Sequence, residues 1–196
     1  KFQKSIFVSL AVLGFVGGMQ MSDIINSGDE SAIPTIKAAS VRRGQQRING
    51  KWYLFDNNGH YKTGFQWIPE QHKTVYYANN GQMQYGFKDI SGHRYYFDTL
   101  TGKMTIGERK IGNDWYLFDQ NGFMKTGFQW ISSQKKTAYY DKQTGHRLKG
   151  MQKIDGNLYH FDENTGAMTT SQVAYYKGTK RLYLFDNHGH VEYAAN

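Results

Sequence analysis

The chain contains no cysteine, which excludes a disulfide framework, a thiolate zinc site and a thiol nucleophile. It is also short of ordinary core formers, with hydrophobic residues at only 39%, too few for the single compact core that 196 residues would otherwise suggest. Proline occurs twice. No helix-borne histidine pair, Gly-x-Ser-x-Gly or phosphate loop is present in the sequence, and no two acids are placed for glycoside hydrolysis. The reading is therefore a non-enzyme that needs no cofactor and no metal. His188 and His190 lie together on a turn near the end of the chain and read as exposed rather than as metal ligands.

What is abundant is aromatic and glycine: 16% of residues are Phe, Trp or Tyr, and there are 22 glycines. That composition excludes disorder for the bulk of the chain and describes many short aromatic strands separated by tight turns. The formal charge of +8 suits ordinary solubility or attraction to an anionic polymer. Nucleic-acid binding is the weaker reading of that charge.

The start of the chain differs from the rest. Lys1 and Lys4 precede an uncharged apolar run, so residues 1–21 read as a secretory signal peptide or, alternatively, an uncleaved membrane anchor. Residues 22–45 are polar and aperiodic and read as a flexible linker.

From residue 46 onward the sequence repeats. Residues 51–68, KWYLFDNNGHYKTGFQWI, align with 114–131, DWYLFDQNGFMKTGFQWI, at 14 of 18 positions, so the chain contains a duplication with a 63-residue period. A shorter unit lies inside it, marked by an aromatic run, a polar turn and a glycine. The marker glycines are Gly59, Gly81, Gly102, Gly122, Gly145, Gly166 and Gly189, spaced 20 to 23 residues apart. Each unit reads as a strand (Trp52–Asp56), a loop closed by glycine (Asn57–Gly59) and a second strand (His60–Lys62), forming a β-hairpin. The recurring Asp is a turn residue in this reading. A hairpin is not stable alone in water, so about seven would stack, burying the second and fourth positions of the aromatic run, such as Tyr53 and Phe55. The first and third positions form a mixed, more exposed face. The Met two residues after most turn glycines reads as core filler.

The segments Asn49–Asp56, Ser91–Asp98, Thr101–Met104 and Lys125–Phe128 resemble cell-wall-binding repeats. That superfamily includes the choline-binding modules of surface proteins and lysins and the glucan-binding repeats of glucansucrases. The resemblance covers about residues 46–193. It implies an all-β solenoid of about seven stacked hairpins over residues 46–196, about three per superhelical turn. It also implies a wall-associated or extracellular partner, either glycan, glucan or teichoic acid, at or outside the surface of a Gram-positive bacterium, with a homodimer left open. Choline-binding repeats use a cage of rings around a quaternary ammonium. Here Phe65 and Phe128 stand at the family's Gly-Trp position, the strand Trp survives as Trp52 and Trp115, and Arg94 replaces it in the third unit, where a cation repels choline.

Glycan, either α-glucan or wall polysaccharide, is therefore the preferred ligand. Choline on teichoic acid comes second, and a structural or adhesive spacer without a small ligand is a further alternative. The two copies of Thr-Gly-Phe-Gln-Trp-Ile supply the candidate binding residues Phe65, Gln66, Trp67, Phe128, Gln129 and Trp130, each pairing a ring to stack on with an amide for sugar hydroxyls. Packing between hairpins is the competing role for Trp67 and Trp130. Tyr76, Tyr96 and Tyr139 on the mixed face complete the set with Trp52 and Trp115.

Overall fold

Asn49 and Gly50 both take positive φ, 49° and 78°, the left-handed pair that a two-residue turn needs if its twist is to match the flanking strands. That turn joins β1 (Gly44–Ile48) to β2 (Lys51–Phe55) in full register, from Ile48 opposite Lys51 to Gly44 opposite Phe55. The computed structural model describes residues 41–178 and 180–195, and the same device recurs along it. Ser91-Gly92 joins β5 (Gly86–Ile90) to β6 (His93–Phe97) and Asp155-Gly156 joins β12 (Gly150–Ile154) to β13 (Asn157–Phe161), while Gly112-Asn113, with positive φ at Gly112 alone, joins β7 (Gly107–Ile111) to β8 (Asp114–Phe118). In β3 (Gly64–Ile68) with β4 (Lys73–Tyr77), and in β10 (Gly127–Ile131) with β11 (Lys136–Tyr140), the connection is longer. Each of these runs through a 3-10 turn, Pro69–Gln71 or Ser132–Gln134. A last hairpin pairs β14 (Gln172–Tyr176) with β15 (Arg181–Phe185). The described residues form seven sheets, each built on one such hairpin, and the signal and anchor reading of residues 1–21 lies outside them.

This corrects the pairing read from the sequence. The aromatic strand pairs mainly with the segment before it, not with the residues after the Asp–Gly turn. After that turn the contact shrinks to single bridges, such as Phe55–Tyr61 and Phe97–Met104. Among the described residues it grows into a third strand only at the two-residue β9 (Met124–Lys125) and the full-length β16 (Val191–Ala195). Strand β1 begins at Gly44, inside the stretch expected as a linker, of which residues 22–40 lie outside the described residues.

The Asp residues are turn residues, as their spacing implied. Asp98 Oδ1 accepts from the N–H groups of Leu100 and Thr101 at 3.1 and 2.9 Å and from the Thr101 hydroxyl at 2.8 Å. Asp141 and Asp162 repeat the pattern with Thr144 and Thr165.

The contacts separate two compact units. The first holds the described residues up to Glu70 together with Val75–Met83, and the second holds Gln71–Thr74 with the rest. Stacking follows one rule inside each. The N–H two residues past a turn glycine donates to the carbonyl at the first aromatic-run position of the preceding hairpin. In the first unit this is Met83 to Trp52 at 2.8 Å. In the second it is Met104 to Thr74 and Arg147 to Trp115 at 2.8 Å, and Met168 to Thr137 at 2.7 Å. The residue at that donor position then lies under the next turn glycine, so a methyl on Gly122 would sit 2.7 Å from Met104 Sδ and one on Gly81 would sit 2.6 Å from the Tyr61 ring. Second and fourth aromatic-run positions form the core, with Tyr77, Phe97, Phe118, Tyr140, Phe161 and Phe185 almost fully buried. Each such ring contributes roughly 1.5–3 kcal/mol.

Candidate functional site

The outer face of each hairpin carries the second and fourth residues of the first strand beside the second and fourth of the second, which are the first and third positions of the aromatic run. Alternation puts Phe65 and Trp67 on one face of β3, 40% and 57% exposed, and Phe128 and Trp130 on the same face of β10, 41% and 64% exposed. One ring pair of this kind per copy is a large apolar surface left in contact with water. Gln66 and Gln129 point to the other side. The amide of each donates to the carbonyl of its own loop, Thr63 or Thr126, at 2.7 Å, so part of its hydrogen-bonding capacity fixes the approach to the strand.

The Phe of each Gly-Phe step meets the third-position Tyr edge to face, with centroids 4.9 Å apart for Phe65–Tyr76, 4.9 Å for Phe87–Tyr96 and 4.8 Å for Phe128–Tyr139. In the second unit a Tyr from the following hairpin joins, Tyr116 at 5.1 Å from Phe87 and Tyr159 at 5.0 Å from Phe128. These three-ring groups bring in Phe87, which the resemblance places at the family's Gly-Trp position, and Tyr116 and Tyr159, which alternation places on the core face; none of the three is among the candidate binding residues. The Gly86-Phe87 step was the available signal. Tyr139 departs from the expected exposed position. It is 5% exposed and packs in a core cluster with Ile154, Tyr159 and Phe161, because the neighbouring hairpin covers its ring. Tyr76 and Tyr96 are half-buried. Arg94 is held by Asp89 through two hydrogen bonds of 2.8 Å, so its charge is met locally.

At the fourth hairpin the ring group is replaced. Glu108 stands at the Phe position and Arg147 at the Met position, and the two pair at 2.8 Å with side chains only 5% and 7% exposed. Glu108 also accepts from Lys136 Nζ at 3.1 Å, from Gln134 at 2.8 Å and from the Tyr140 hydroxyl at 2.7 Å. Burial pushes the Glu108 carboxyl up. The bonds from Tyr140, Arg147, Gln134 and Lys136 outweigh that, so it sits below the usual carboxylate range, while burial and Glu108 push the Tyr140 phenol far up. The first copy has a neutral counterpart, Gln45, whose amide donates to the Tyr77 hydroxyl at 2.8 Å. The signal for this in the sequence is the fourth aromatic-run position, which is Tyr at 77 and 140 and Phe in the other five units. Trp52 and Trp115 are each about one-third exposed, and the Arg147 guanidinium lies 5.1 Å from the centre of the Trp115 ring.

A family model described as a choline-binding repeat matches residues 62–108 and 125–172, and one described as a putative cell wall binding repeat matches residues 46–61 and 109–124. The chain belongs to the cell-wall-binding, choline-binding repeat family. Among solved structures, choline binding protein F of Streptococcus pneumoniae is 25% identical with a TM-score of 0.68 over 78% of this chain and 48% of that one. CbpJ of the same species is 26% identical with a TM-score of 0.67 over 76% and 48%. A glucosyltransferase-S of Streptococcus mutans serotype c is 33% identical over 87 residues, 43% of this chain and 6% of that protein. The chain thus spans about half the length of these solved relatives and a small part of the glucosyltransferase. With the hairpin stack, these likenesses make it a β-solenoid of binding repeats, and the matched residues are repeats alone.

Proposed function

We propose that this chain is a non-catalytic, secreted or surface-held module that binds an extracellular or wall-associated glycan, an α-glucan or wall polysaccharide, through Phe65/Trp67 and Phe128/Trp130. The observation that carries this reading is the exposure of Trp67 and Trp130, 57% and 64%, each beside a half-exposed Phe on the same strand face. Flat ring surface in water is what a sugar ring stacks on. A relative named as a glucosyltransferase supports it. The test is retention of the full chain on insoluble α-glucan and on Gram-positive cell walls, beside a Trp67→Ala/Trp130→Ala variant. Retention that the variant loses supports the reading. Equal retention of both proteins removes these residues from the site.

A second reading, choline on teichoic acid, is favoured by the ring groups Phe87–Tyr96–Tyr116 and Phe128–Tyr139–Tyr159, since several rings around one point attract a quaternary ammonium. Asp89 also weakens the repulsion first assigned to Arg94. Retention on choline-agarose alone would establish it. Failure on all three supports leaves a structural spacer.

A further inference from the structure

The buried charge cluster has one member that reaches the surface chemistry. Arg147 donates Nη1 to Glu108 and Nη2 to the Asn164 carbonyl, at 2.8 and 2.9 Å. Its guanidinium is thereby fixed against the indole of Trp115, a stacking that Arg makes well and that holds the ring in one orientation. Trp115 and Arg147 line a cavity of about 190 Å³ together with Asn113, Asp114, Glu163 and Asn164. That volume is below the ~300 Å³ at which drug-sized pockets begin, so the cavity suits one ring rather than an oligomer. Its side chains present amides and carboxylates, the groups that take sugar hydroxyls in pairs. Lys110 and Lys149 also line it, so the two acids do not make it a cation site. The first copy keeps the Trp, as Trp52, but has Met83 in place of Arg147 and Gln45 in place of Glu108.

We propose that Trp115, braced by Arg147 in this cavity, is a second kind of sugar position that takes one pyranose residue, its ring face on the indole and its hydroxyls on Asn113, Asp114, Glu163 and Asn164. This rests on the glycan reading and adds a position chemically unlike the Phe/Trp platforms. Arg147 acts here as a positioning residue.

The full chain is titrated with soluble dextran and with soluble wall polysaccharide. Trp115→Ala weakens binding roughly three- to tenfold, the contribution of one ring contact, with an unchanged thermal midpoint, while Trp115→Phe stays near wild type. Glu108→Gln/Arg147→Met, which installs the first copy's residues, keeps the indole and weakens binding as Trp115→Ala does. Wild-type affinity in Trp115→Ala, or an equal loss in Trp115→Phe, overturns the proposal and leaves the Trp67/Trp130 reading standing. Wild-type affinity in the double variant removes the brace. A wild-type chain that binds neither polymer overturns both.

Discussion

Glu108 is the side chain whose loss leaves most behind. Removing it strands Lys136 and Arg147, both 7% exposed, and an uncompensated buried charge costs far more than a surface pair. Glu108→Ala therefore destabilises the chain by about 3–5 kcal/mol in chemical denaturation. Glu108→Gln/Arg147→Met costs less than half of that, because only Lys136 stays charged. Lys73, the first copy's counterpart, already stands buried with the Thr101 carbonyl as its acceptor and its pKa pushed down by burial. The same carboxylate sets an acid limit. Glu108, Asp98, Asp141 and Asp162 all lie below their ordinary values, Glu108 through bonds that outweigh its burial and the aspartates first through the turn N–H groups of Thr101, Thr144 and Thr165. A depressed carboxyl contributes stability above its unfolded value and loses it as pH falls through the folded one. The thermal midpoint should accordingly drop below about pH 4, and drop less in Glu108→Gln/Arg147→Met.

Two turns compete within each unit, and their geometry decides the element. The Asn49-Gly50 type closes a five-pair ladder, whereas the Asp–Gly type is followed by one bridge, by the two-residue β9 or, after Gly189 alone, by the longer β16. Gly50→Ala, with φ at 78° and open space around it, costs about 1–2 kcal/mol from the left-handed backbone alone. Gly81→Ala has the same φ and adds a collision with the Tyr61 ring at 2.6 Å, so its midpoint falls further. Thermal melts of the two variants check the order. Both turn signals stand in the sequence, but which one carries the ladder depends on strand twist and on the next hairpin. Local residue preferences do not rank them.

For the whole molecule, the repeat makes neighbours interchangeable only where their joining chemistry agrees. Deleting the fourth unit, residues 107–126, sets Phe87 in the place of Glu108 against Lys136 and Arg147. Loss of β-sheet circular dichroism and of the cooperative transition is expected, because two buried cations then lack their carboxylate. Binding to a neutral glycan should change little between low and high salt, since few counterions are released. A steep fall would instead indicate an anionic polymer.

The aromatic runs, glycine spacing and 63-residue duplication were enough by themselves to determine an all-β stack of about seven hairpins, its core positions and the turn role of Asp. Periodicity in two residues and in twenty-one is written along the chain and requires no knowledge of distant contacts. Tertiary structure alone decided which segments pair, that Tyr139 is covered while Trp67 and Trp130 are not, and that Glu108, Lys136, Tyr140 and Arg147 meet. The last of these depends on residues 28 to 39 positions apart being brought together by stacking, where burial makes a mispaired charge costly and a matched one stable.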